Sequence, residues 1–167
     1  QSLAVSAAYF DITQQNRISD GVTPGGVEQV GAVVDGWELQ VNKRWQQFET
    51  QVAYTNLNAT NDGTGIRLPY VAEEQASWWN RLYVGNNWRI GAGVRYVGDN
   101  VGSGGAPVVP SSTLYDAMVG YTLGEWDFSV DLKNATDEEY ISWCRYDGGD
   151  CGYGDRRSVT ANVRYQF

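Results

Sequence analysis

The only two cysteines, Cys144 and Cys151, sit seven positions apart in the segment WCRYDGGDCGYG. Two cysteines in one polar, Gly-rich loop point to a local disulfide and so to an oxidising compartment; two free thiols are the alternative. Trp143, Arg145, Tyr146 and Tyr153 surround them. Aromatic rings and a guanidinium on a stapled loop suit a ligand with aromatic or anionic groups. The same side chains could instead pack the loop against its neighbours or sit at a headgroup belt. Asp62, Asp147, Asp150 and Asp155, in DGTG and DGGDCGYGD, carry oxygens that could reach Ca²⁺, but they lack the regular acidic spacing of a calcium loop and read better as solvated turn residues. GSGG at 102–105 has no strand–helix context of the kind a phosphate cradle needs. The chain contains no histidine, which removes His-based triads, His general bases and His metal ligands. Carboxylates are plentiful, yet no pair can be set at the separation a glycosidase requires. Neither an enzyme, nor a metal site, nor a cofactor is expected.

These residues belong to a 167-residue chain of net charge −8. The length suits one domain, 1–167. The charge leaves no basic stripe for phosphates, so no nucleic-acid partner is expected. Trp (7) and Tyr (11) far outnumber Phe (4), and rings with one wet end suit a membrane-interface belt as well as a soluble β domain. No apolar run approaches the ~20 residues of a transmembrane helix, but barrel strands alternate and keep mean hydropathy low. The start at Gln1, without Met, reads as a mature product or an excised piece.

The elements that must position the loops have a period of two. Leu3, Val5, Ala7 and Tyr9 share a face. Trp37, Leu39 and Val41 oppose Glu38 and Gln40; Val52 and Tyr54 oppose Glu49 and Gln51. Trp88, Ile90, Ala92 and Val94 oppose Arg89, Gly91, Gly93 and Arg95; Tyr115, Ala117, Val119 and Tyr121 oppose Asp116, Met118 and Gly120. Trp126, Phe128, Val130 and Leu132 oppose Asp127, Ser129, Asp131 and Lys133. The phase of ASWWNRLYVG is ambiguous, because Trp78 and Trp79 are adjacent. With SVTANVRYQF at the end, the count is eight strands. Inward Gly91, Gly93 and Gly120 leave room for long neighbours such as Arg95 or Arg164.

The connections alternate too. KRWQ, GNN and GE are tight hairpins. TQQNRISDGVTPGG, NATNDGTG, GDNVGSGGAPVVPS and ATDEEYISWCRYDGGDCGYG are long. Short turns on one side and long loops on the other describe an all-β, antiparallel transmembrane β-barrel: an up-and-down meander in the bacterial outer membrane, its apolar face on lipid. A soluble β-sandwich would tolerate the alternation but would not explain the loop asymmetry.

Several strings, in order, resemble the C-terminal barrel region of TonB-dependent siderophore receptors. They are GWELQV, LPYVAEEQASWW, RIGAGVRYVGD, VPSSTLYDAMVGY, FSVDLKNATDEEYISWC and CGYGDRRSVTANVRYQF. In the last two, Asn134, Asp137, Tyr140, Cys144, Gly154, Arg157, Tyr165 and Phe167 stand in register with the family pattern, while Ala135-Thr136 replaces its Leu. The resemblance is strongest from about residue 88 onward. It implies a parent function of ferric-siderophore uptake, and a terminal strand in which Tyr165 and Phe167 serve as the signal read by the barrel-assembly machinery. Such receptors resemble a 22-stranded barrel filled by a plug, and the resemblance here covers only the last eight strands. Unpaired edges are a liability in lipid, so closure into a small, side-chain-filled barrel without transport is expected. A piece of a receptor that binds siderophore only with the missing strands and plug is the rival.

Overall fold

The computed structural model describes residues 2–20, 27–146 and 149–167, with side chains at all of these except 18–20 and 27–30. Asp147 and the tip of the first long connection, 21–26, lie outside the described residues.

Eight strands form one antiparallel sheet: β1 (Ser2–Asp20), β2 (Val27–Arg44), β3 (Phe48–Asn61), β4 (Glu74–Val84), β5 (Trp88–Val97), β8 (Ser112–Leu123), β9 (Trp126–Lys133) and β12 (Ser158–Tyr165). Two small hairpins lie inside the long connections, β6 (Asn100–Val101) with β7 (Val108–Val109), and β10 (Ile141–Arg145) with β11 (Asp150–Tyr153). Each main strand pairs with its neighbours in chain order, as the alternation and the tight turns predict. At Gly124 the backbone turns with φ 57°, a conformation that glycine adopts without steric cost.

Register joins the apolar phases into one continuous face. Leu82, Ile90, Val119, Val130 and Ala161 lie in one row across five strands. These side chains are not covered: Val5 is 60% exposed and Trp78 52%. No second layer packs on this face among the described residues, so the β-sandwich alternative fails. Aromatic residues mark both ends of the face. On the turn side, Trp88 meets Tyr121 at 4.6 Å and Trp126 meets Tyr165 at 4.8 Å between ring centroids. On the loop side, Trp37 meets Tyr54 at 4.9 Å.

The expected closure does not occur. β1 pairs only with β2, and β12 only with β9, so the sheet has two open edges. The lengths are also mismatched, 19 residues in β1 against 8 in β12. The polar face shows the same thing. Its ion pairs, Arg81–Glu49, Arg89–Asp127 and Arg95–Asp116, join strands next to each other or one strand apart, and among the described residues none reaches across an enclosed interior.

The glycines of this face make room, though not for the side chains expected. A Cβ on Gly93 would stand 2.4 Å from the Trp79 ring, and one on Gly91 2.6 Å from it. Trp79 therefore lies flat along the polar face and Trp78 points the other way, which fixes the phase of β4. Gly120 makes room for Arg89, whose guanidinium reaches over β8 to donate two bonds to Asp127, at 2.5 and 2.8 Å.

Three strands run further than the period-two reading suggests. A membrane crossing needs roughly 9–11 residues, whereas β1, β2 and β3 have 19, 18 and 14. The extra length of β1 and β2 pairs as far as Asp20–Val27, past a register shift between Gln14 and Arg17. Here the phase inverts: Ala32, Val34, Leu57 and Ala59 stand on the polar face yet are apolar. The reason is the connection 62–73, which folds back so that Leu68 is buried against Ala32 and Ala59, its N–H donating to the Ala59 carbonyl at 2.8 Å.

Candidate functional site

The long connections on the loop side form a packed platform. The β10–β11 hairpin is closed by the disulfide Cys144–Cys151, which joins residues directly opposite in register. In an antiparallel pair such residues stand close enough to be bridged. Cys144 is 1% exposed and Val109 of β7 is 1% exposed, in a molecule with few buried residues. The hairpins are joined by backbone bonds: the Ser103 N–H donates to the Cys144 carbonyl (3.2 Å), and the Tyr146 N–H to the Ser103 carbonyl (2.8 Å). Tyr70, from the 62–73 connection, adds a third loop. Its N–H donates to the Val101 carbonyl (2.8 Å), and its hydroxyl shares a 2.5 Å bond with the Ser103 hydroxyl.

Asn134 fixes the platform to the sheet. Its side chain is 2% exposed and makes three bonds, donating to the carbonyls of Glu138 (2.8 Å) and Asp155 (3.1 Å) and accepting from the Glu138 N–H (2.8 Å). Its own N–H donates to Asp116, which also holds Arg95 at 2.6 Å. Asp137, at φ 58°, receives Arg156 at 3.0 and 2.8 Å and the Arg157 N–H at 3.0 Å. Those donors hold the Asp137 carboxyl well below the usual carboxylate range, and Asp137 with Glu139 raises the Arg156 guanidinium above its ordinary value. The Tyr140 ring lies over Gly154. The motif residues in this stretch therefore tie a knot between the end of β9 and the start of β12. Beneath the knot a polar recess of about 370 Å³ is lined by Arg95, Asp116, Lys133, Tyr140, Asp155 and Arg156.

Of the four side chains suggested as ligand contacts, three come together. The Arg145 guanidinium stands 5.6 Å from the ring centroids of both Trp143 and Tyr146 and donates to Asp150 at 2.5 Å, and that carboxylate raises its pKa. The Trp143 ring covers Gly152. Tyr153 stands apart, opposite Ile141, and is 67% exposed. Of the acids considered for Ca²⁺, Asp150 is engaged with Arg145, and the described residues contain no group of three potential metal ligands. Tyr165 and Phe167 lie in the turn-side aromatic row, edge to face at 5.0 Å, with the Tyr165 hydroxyl donating to Glu125 at 3.2 Å. Sequence reasoning missed Asn134 as the anchor, although its place in the NATDEEY string was noticed. It also missed the Tyr70–Ser103 link, for which no local signal exists.

A family model described as TonB dependent receptor-like, beta-barrel, matches residues 1–135. The chain belongs to this family. It is thus a chain of the bacterial outer membrane and not an enzyme. The similarity continues beyond residue 135. The ferrioxamine receptor of Yersinia enterocolitica is 30% identical over 178 residues, covering 97% of this chain and 25% of that protein. The catecholate siderophore receptor Fiu of Escherichia coli K12 is 28% identical over 184 residues, covering 98% and 24%. Among solved structures, the ferric yersiniabactin uptake receptor FyuA from Yersinia pestis superposes with a TM-score of 0.83 at 16% identity, over 99% of this chain and 28% of that one, a likeness of fold alone. The chain spans about a quarter of the length of the curated relatives it matches.

Proposed function

We propose that this chain is the C-terminal wall of a ferric-siderophore receptor, a single unit over 1–167 that works only when further strands and a plug complete the barrel. The open sheet carries this reading: β1 and β12 each leave one edge unpaired, which lipid does not tolerate. The relatives' greater length supplies a source of strands to pair with those edges. In this reading the apolar face meets outer-membrane lipid, and the polar face lines the wide interior. The loop platform, with Trp143, Arg145, Tyr146 and Tyr153, forms part of the mouth through which a ferric siderophore enters. Tyr165 and Phe167 present the end of β12 to the barrel-assembly machinery.

The test is to direct the chain to the outer membrane alone and, separately, joined to the preceding part of a receptor. Only the joined form is expected to migrate as a heat-modifiable species and to support growth on ferric siderophore under iron limitation. A compact, heat-modifiable monomer of the 167-residue chain alone would overturn completion and restore the closed eight-stranded barrel. A monomer that stays soluble without detergent would overturn the membrane reading itself.

A further inference from the structure

The polar wall carries an apolar interruption, and its position bears on how the rest of the receptor is seated, an inference that rests on the siderophore-receptor reading. Over the middle of β4, β5 and β8 the residues of the polar phase are Ser77, Arg81, Arg89, Asp116 and the glycines 91, 93 and 120. Trp79 and Met118, the latter the chain's only methionine, are the exceptions. Register brings the two together. Trp79 stands opposite Gly93 and Met118 opposite Gly91, and a Cβ on Gly91 would stand 2.6 Å from the Trp79 ring and 2.7 Å from the Met118 Cγ. Ring and thioether thus lie side by side over the gap the glycines leave, a contact that a polarisable sulfur favours. Both are half-buried, with the wall beneath them and their other side facing inward. Beside Trp79 a recess of about 320 Å³ opens, lined also by Asp116, Asp131, Lys133 and Thr160. Trp79 is midway along the eleven residues of β4, Glu74–Val84, so the patch is at mid-depth, well below the loop platform.

We infer that Trp79 and Met118 form the seat for an apolar side chain of the plug that fills the completed receptor. An aqueous passage gains nothing from an indole and a thioether laid open at mid-depth, because apolar surface in water is unfavourable. A wall that only lined water would carry polar groups here, as this one does on either side. A passing chelate would cover the patch during transit and leave it wet at all other times. A resident segment covers it permanently. The chain spans about a quarter of the length of its curated relatives, so most of such a receptor lies outside it and can supply that segment. Gly91 and Gly93 let the ring lie flush with the wall, which makes the seat a flat ledge. Asp131 and Lys133, at the rim of the recess, offer one charge of each sign to the polar groups that flank the seated side chain.

The test uses the receptor in which this chain is joined to its preceding part. The photoreactive residue p-benzoylphenylalanine replaces Trp79, and cells are irradiated without siderophore. The expected product is an internal cross-link whose partner, mapped by mass spectrometry, lies in the plug. No internal cross-link, or one confined to other strands of the wall, overturns the seat and leaves the receptor reading standing. Trp79→Ala in the same receptor, checked for heat-modifiable folding, is expected to raise sensitivity to a bulky hydrophilic antibiotic several-fold, because an unseated plug leaks. Trp79→Phe keeps an apolar ring on the ledge and is expected to stay tight. Unchanged exclusion in Trp79→Ala, with weaker binding of ferric siderophore instead, would make Trp79 a ligand contact and overturn the seat. A joined receptor that never becomes heat-modifiable and supports no uptake would overturn the siderophore-receptor reading itself.

Discussion

The apolar face and the loop platform are built from similar residues under opposite rules. On the face, side chains alternate and project outward, and no protein covers them: Val119, Val130 and Ala161 touch mainly their row neighbours. On the platform, Val109, Cys144 and Asn134 are almost completely enclosed, two by packing and one by hydrogen bonds. If lipid covers the face, as proposed, a solvent that is itself apolar stabilises it and one-dimensional pattern suffices. The platform stands in water and must build a core of its own, so it depends on particular partners brought from three connections. Substitutions on the face should therefore impair insertion, and substitutions in the platform should loosen loops on a barrel that still inserts.

The largest effect is expected from Asn134→Ala. It strands two carbonyls and an N–H in a buried place, which costs about 3–5 kcal/mol. Protease added to intact cells should then cut within 134–157 while the barrel remains heat-modifiable; loss of insertion as well would erase the distinction between the two regions. Val119→Arg tests the other side. A charge at mid-face costs about 2–4 kcal/mol, and yield in the membrane should fall with no new loop cleavage in the molecules that do insert. Replacing Cys144 and Cys151 together by Ser removes a short cross-link worth about 2–3 kcal/mol in the chain-entropy account. Reductant should reproduce its protease sensitivity, and the barrel's migration should be unchanged.

The smallest effect sharpens the comparison through pH. The Asp137 carboxyl is depressed by Arg156 and the Arg157 N–H. Its contribution is complete above the ordinary carboxylate value, about 3.9, and is lost as pH falls from there toward its depressed value. Protease resistance of 134–157 should hold from pH 7 to 5 and decline below about 4. Asp137→Asn should remove this component of the decline and lower resistance at neutral pH; an unchanged acid profile would count against the ion pair.

What was legible in the sequence follows the same division. Strand identity, strand order and, outside β4, phase were legible from alternation, because a sheet with one apolar and one polar face imposes it along every strand. Trp79 could have been placed as well, since a large ring beside Gly93 across the register is a local match of large to small. The inverted phase at Ala32 and Val34 was hidden, because the loop that covers them arrives from thirty-odd positions away. Both loop hairpins were missed, being too short for periodicity to show. Closure was misjudged for another reason: strand count alone does not say whether the first and last strands meet, and that depends on curvature and length, which only the assembled sheet displays.

The Tyr70–Ser103–Tyr146 chain of bonds has a mechanical side. It runs laterally over the ends of six neighbouring strands, from β3 to β12, at right angles to the direction in which the sheet is strong. A β-sheet resists stretching along its strands but splays readily where hairpins are long and separate. Bonded together, these three connections act as a crossbeam: a push on Tyr146 is carried through Ser103 to Tyr70, and the strand tops beneath keep their spacing or shift as one body.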